Sequence, residues 1–204
     1  MKKFFTVVSL QKKDLELINY QAVGNSRLHM EEPVSFPILT VVNGYVQPGE
    51  DFRLIAILPD NQYAIRNHKV LLDQFQELCG RKGFTCSKGV ETLEITDDQT
   101  VATHVETFRK LIDYVDDGDE LFCCMTFGTK PLSQAEMLAL QYAYRVKKNA
   151  SLSCIVYGGI DYSRKNAGFV YDVTALTQMD EIVHMLAEHG VSDPKAALDA
   201  MLSL

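Results

Sequence analysis

No stretch of this chain approaches the roughly 20 consecutive apolar residues of a membrane-spanning helix. The apolar run at Phe4–Leu10 is short and is followed by Lys12, Lys13 and Asp14 with no small-residue cleavage site, so it reads as a first strand and not as a leader. The expected location is therefore the cytoplasm. Cysteine is scarce and unpatterned: the five residues at 79, 86, 123, 124 and 154 form no CxxC pair. Their odd number and apolar settings argue against a zinc site or a disulfide framework and for buried, reduced thiols. There is no basic stripe, and the formal net charge is −7. Binding of long nucleic acid by counterion release is thereby excluded, while a small anion held by a few local positive groups is not. The dinucleotide fingerprint GxGxxG after the first strand is missing, as are GxxxxGK[ST], HExxH and GxSxG. The five histidines (29, 68, 104, 184, 189) have no metal-ligand spacing; those at 68, 104, 184 and 189 fall on predicted helices, where solvated or capping roles are expected. No metal and no cofactor is expected.

What the chain does have is alternation of buried strands with amphipathic helices. Phe4–Leu10, Arg53–Leu58, Leu121–Phe127, Leu152–Tyr157 and Phe169–Val173 read as strands, and Val90–Ile95 alternates as a strand does. Helical spacing predicts helices over 36–46, 64–80, 100–115, 132–146, 176–186 and 194–202, the second followed by Gly83. In the third, Val101, Val105, Phe108, Leu111, Ile112 and Val115 share one face. Leu15–Val23 alternates weakly before Gly24, which predicts a short hairpin or an irregular loop. This order implies an α/β fold: a Rossmann-like, doubly wound, mainly parallel sheet with helices on both faces. Residues 1–190 are expected to form that domain, and 191–204 a short C-terminal helix or the start of a linker.

The most informative stretch is 121–143. An apolar strand stops at Thr126-Phe127-Gly128-Thr129-Lys130, and a helix rich in Ala and Leu follows at once. Turn amides, the positive helix end and an ammonium group converge there, the combination by which chains hold phosphate. The same residues also serve plain architecture: glycine permits a tight turn, threonine caps a helix, lysine is solvated. In a doubly wound sheet, ligands bind beyond the strand ends where strand order reverses. The polar Ser9-Leu10-Gln11 after the first strand is the second candidate lip.

The stretch Thr126–Lys130, together with Tyr157-Gly158 at a strand end and Asp172-Val173-Thr174 leading into a helix, resembles the CRISPR-associated Rossmann fold (CARF) domains. Their turn usually reads Thr-Gly-Gly-Thr-Lys, and this chain departs from it at Phe127, which is in place to line a base pocket or stack on adenine. The resemblance spans Phe4 to about Leu186, strongest at 121–143 and 154–176.

The resemblance implies a homodimer that binds a cyclic oligoadenylate across its two-fold and passes a signal to an effector domain or subunit. Ser9, Leu10, Gln11, Thr126, Phe127, Gly128, Thr129 and Lys130 would then contact the ligand, with 15–33 covering it and Tyr20 or His29 near adenine. An alternative is a stand-alone ring nuclease. It would need no metal, because a ribose 2′-hydroxyl attacks the neighbouring phosphate, with Lys130 stabilising the developing charge and Ser9 orienting the ribose or phosphate. A third reading is a Rossmann-like domain for another nucleotide or a protein partner. The helix over 132–146, apolar on more than one face, is consistent with a dimer interface and equally with a well-covered core helix.

Overall fold

The computed structural model describes residues 1–161, 163 and 167–202. They fall into two compact units, Met1–Asp172 and Val173–Leu204. The boundary expected at residue 190 lies inside the second unit.

The first unit contains β1 (Lys2–Val7), β2 (Tyr20–Val23), α1 (Ile38–Tyr45), β3 (Phe52–Pro59), α2 (Gln62–Lys82), β4 (Val90–Ile95), α3 (Val101–Ile112), β5 (Glu120–Cys124), α4 (Lys130–Val146), β6 (Ser151–Asp161) and β7 (Ala167–Asp172). Seven strands form one sheet in the order β2-β7-β6-β5-β1-β3-β4. The five strands from β6 to β4 are parallel; β7 is antiparallel to β6, and β2 pairs parallel to β7. This is the Rossmann-like, doubly wound α/β fold. Chain order runs outward from β1 through β3 to β4, then returns to the other side of β1 at β5. Strand order therefore reverses between β1 and β5.

The central strands are apolar on both faces because both are covered. Phe4, Val8, Leu54, Ala56, Phe122 and Cys124 belong to a core shared with Val41 and Val42 of α1 and with Leu71 and Phe75 of α2. The alternate residues Phe5, Val7, Ile55, Ile57, Leu121 and Cys123 are equally buried. Phe5 meets Leu111, Ala139 and Leu140 of α3 and α4. The cysteines are free, and 123, 124 and 154 are buried.

Three local readings are corrected. The strand expected to reach Phe127 ends at Cys124, because the next free amide on β6, that of Gly158, donates to the Thr126 hydroxyl instead of continuing the ladder. Of the two alternatives for Leu15–Val23 the irregular loop holds as far as Asn19, while Tyr20–Val23 is a strand that pairs with β7. On α3, Val101 and Val105 are exposed while Thr107 and Leu111 are buried. Both ring nitrogens of His104 are buried without a partner among the described residues, so this histidine is not solvated. The helix turns residues 104, 107 and 111 inward, at i, i+3 and i+7.

The opposite pole of the sheet is held by charge. Lys3, 1% exposed, places its Nζ 2.5 Å from Asp119 and 2.7 Å from Asp116, and donates to the Tyr114 carbonyl at 2.7 Å. Asp119 is itself buried and accepts from the Asp116 amide. Asp119→Ala leaves a buried ammonium short of its closest counter-charge. It should cost about 3 kcal/mol of unfolding free energy, read by urea denaturation.

The second unit comprises α5 (Thr174–Glu188) and α6 (Pro194–Leu202). Asp193 accepts from the Ala196 amide at the start of α6, a side-chain cap. No helix among the described residues is long and apolar enough to cross a membrane.

Candidate functional site

The reversal between β1 and β5 brings the two predicted lips to the same end of the sheet. β1 leaves the sheet after Val8, whose amide still donates to Ile57. Ser9 is fully buried; its hydroxyl oxygen accepts from the Gln11 amide at 3.2 Å, and its carbonyl accepts from Asn67 Nδ2 at 2.8 Å. Leu10 packs against the core. Ser9 thus shapes the lip from below and presents no free hydroxyl to a ligand.

The second lip is built from β5. The Met125 amide completes pairing with Val156, and the Thr126 Oγ1 then accepts from Gly158 at 2.8 Å and lies 3.1 Å from Cys124 Sγ. A Cβ on Gly158 would stand 2.4 Å from Pro37 Cγ and 3.2 Å from Thr126 Oγ1, so a side chain here would break the tie. Phe127 packs edge-on against Phe36 with ring centroids 5.4 Å apart. Gly128 follows at φ +100°, a conformation that disfavours other residues, with Val7 close beneath it.

Thr129 occupies the N-cap of α4 in extended geometry, yet its side chain makes no capping bond, and its buried Oγ1 has no partner among the described residues. Pro131 in the first turn contributes no amide, which leaves the N–H groups of Lys130 and Leu132 at the helix start. Lys130 is exposed and forms no ion pair among the described residues.

A cleft of about 900 Å³ opens beside this turn. One wall is the irregular segment Gln11–Asn19, and the other is the end of β6 from Tyr157 to Ile160 with the start of β7. Gln11, Thr126 and Phe127 line it. Ser9, Leu10, Gly128, Thr129 and Lys130 do not; the last three continue along the turn to the start of α4. Tyr20, 5% exposed, belongs mainly to the core yet lines this cleft, while His29 lies in a separate hollow of about 570 Å³ along β2.

Sequence reasoning missed Lys12 and Lys13 on the cleft rim and Tyr157, half-exposed on the facing wall. The signal existed, since two lysines stand just past the end of the first strand. It also missed Arg66 and Asn67 of α2, which bind the main chain of the rim. Among the described residues no three His, Cys, Asp or Glu side chains gather as a metal site would require.

A further missed residue lies on α4. Glu136 of α4 is 1% exposed, and neither carboxyl oxygen has a hydrogen-bond partner among the described residues. It sits beside Phe5, Leu111, Val115, Ala139 and Leu140. Burial pushes its carboxyl up to about 8, offset in part by the Cys123 thiol. The same burial raises the Cys123 thiol well above its ordinary value, so that thiol stays protonated and inert.

The arrangement suits binding more than acid–base chemistry: the cleft offers the ammonium groups of Lys12 and Lys13, main-chain amides and three aromatic rings beside the carboxylates of Asp14 and Glu16, and no histidine among the described residues lines it. No protein-family model matches the chain, and no curated protein matches it either.

Proposed function

We propose that this cleft binds a cyclic oligoadenylate, tetra- or hexa-adenylate, shared by two copies of the chain about a two-fold axis, and that the chain is a CARF-type sensor of antiviral signalling. The observation that carries the reading is the meeting of Thr126 and Phe127, the first two residues of the turn, with the post-β1 segment from Gln11 onward over one cleft, at the reversal of strand order. Phe127 and Tyr157 offer ring faces to bases, and base–aromatic stacking tolerates any base plane. Lys12 and Lys13 bring positive charge to the cleft, beside the carboxylates of Asp14 and Glu16, and Lys130, without an ion pair among the described residues, stands further along the turn at the start of α4. A cyclic tetramer or hexamer has its own two-fold, so an isologous dimer can give each half the same contacts.

Ring cleavage has less support. Ser9, the residue proposed to orient the ribose or phosphate, is buried with its oxygen already accepting an amide. Lys130 alone then remains to stabilise a transition state.

Titration calorimetry with cyclic tetra- and hexa-adenylate tests the proposal, with chromatography of the same mixtures to detect linear products. Micromolar or tighter binding of one ring size, at one ring per two chains and without turnover, is the expected result. Absence of heat with both rings sinks the sensor reading, and linear products revive the nuclease.

A further inference from the structure

The segment between β1 and β2 has no regular secondary structure from Val8 to Asn19, yet it is tied at both ends. At its far end Ile18 and Val34 exchange two main-chain hydrogen bonds, at 3.1 and 3.0 Å. At its near end the tie comes from two adjacent side chains of α2. Asn67 Nδ2 donates to the carbonyls of Ser9 at 2.8 Å and Gln11 at 3.0 Å. The Arg66 guanidinium donates to the carbonyls of Gln11 at 2.9 Å, Lys12 at 3.0 Å and Lys13 at 2.8 Å. Asn67 Oδ1 in turn accepts from Arg66 at 3.1 and 3.0 Å, which fixes the fork.

The consequence follows from peptide geometry. In a planar trans peptide the C=O of one residue and the N–H of the next point in opposite directions. Three successive carbonyls drawn to one guanidinium therefore turn the amides of Lys12, Lys13 and Asp14 away from α2. None of these three amides has a hydrogen-bond partner among the described residues. Successive outward amides form an anion-binding concavity, and this one carries two lysine side chains and lines the cleft. Two carboxylates oppose an anion here: Asp14, exposed and 3.4 Å from Arg66, and Glu16, which also lines the cleft.

We propose that Arg66 and Asn67 are positioning residues that hold the Gln11–Asp14 lip in a phosphate-accepting shape. The proposal rests on the reading of the cleft as a site for a phosphate-bearing ligand. It adds that the affinity depends on a guanidinium fork that itself touches only the protein's main chain. Lysine at position 66 keeps the charge but not the planar fork, and cannot span three carbonyls in the same geometry.

The test compares the full chain with Arg66→Met and Arg66→Lys. Two readouts are used: trypsin cleavage after Lys12 or Lys13 without ligand, and affinity for cyclic tetra-adenylate, cyclic hexa-adenylate and inorganic tripolyphosphate. Both variants should be cut there about fivefold faster or more, and both should bind about tenfold more weakly, with unchanged far-UV circular dichroism. Full affinity in Arg66→Lys would mean that charge and not the fork matters, and would overturn the proposal. So would faster cleavage with unchanged affinity. Asn67→Ala provides a second variant and should act in the same direction. A wild-type chain that binds tripolyphosphate, loses it in Arg66→Met and ignores both rings would refute the oligoadenylate reading while upholding the lip. A chain that binds a ring equally well with and without Arg66 would do the reverse, and one that binds none of the three anions would refute both.

Discussion

Replacing Glu136 with leucine is expected to raise the melting temperature at pH 8 by on the order of 5–10 °C. The carboxyl is fully buried, has no hydrogen-bond partner among the described residues and faces Phe5, Leu111, Val115, Ala139 and Leu140. Its folded-state value is about 8 against 4.5 for the free side chain, so between those two values the folded protein holds a proton that the unfolded chain releases. The group therefore makes stability fall as pH rises from about 4.5 to about 8 and adds no further slope above that. Below about 4.5 both states are protonated and the ionisation cost disappears. Glu136→Gln separates this effect from packing: it should match wild type near pH 4.5 and exceed it at pH 8. Thermal unfolding of the three proteins from pH 4.5 to 9 is the measurement. An unchanged slope in the glutamine variant would assign the pH dependence to other groups.

Lys130→Glu carries the largest expected effect on the proposed binding, a loss of about a hundredfold or more in affinity for the preferred ring. The side chain is exposed at the first residue of α4 and makes no ion pair among the described residues. Its removal therefore costs the fold little, with a melting temperature expected within about 1 °C of wild type. The reversed charge opposes the ligand phosphate and also the anion preference of the helix start. Wild-type affinity should weaken as salt increases, because a rim this exposed is screened. Calorimetry at low and moderate salt reads both effects, and full affinity in the variant would move the site away from the start of α4.

The architecture was legible because its signals are local. Strands covered on both faces are nearly continuous apolar runs, as at Phe4–Val8, broken only by Thr6, and Leu54–Leu58, and the turn at Thr126–Lys130 announces itself by composition. That this turn stands at the strand reversal is seen only in the sheet order, because alternation of elements implies a parallel sheet and not the order of its strands. Other parts of the site depend on single long-range contacts that leave no pattern. Arg66 and Asn67 read as ordinary helix residues until the carbonyls they bind are seen. Glu136 interrupts an otherwise apolar face at Leu132, Ala139 and Ala143, and one acidic residue does not erase a helical period. Ser9 looked like an open hydroxyl because sequence does not record that the Gln11 amide occupies it. Phe127 is accommodated by Phe36, distant in sequence, while still reaching the cleft.

The pairing of β2 with β7 bears on when the cleft comes into being. Tyr20 is matched with Gly168 and Val23 with Tyr171, so a strand made early in synthesis has no ladder partner until nearly all of the first unit has left the ribosome. The inner strands β1, β3, β4 and β5 need no such wait. Closing so long a loop for a four-residue strand brings little reward until β6 and β7 are already folded together. A nascent chain halted before residue 167 is thus expected to hold the inner sheet with one wall of its cleft unfinished, and the cleft takes its full shape only once β7 has paired with β6 and β2.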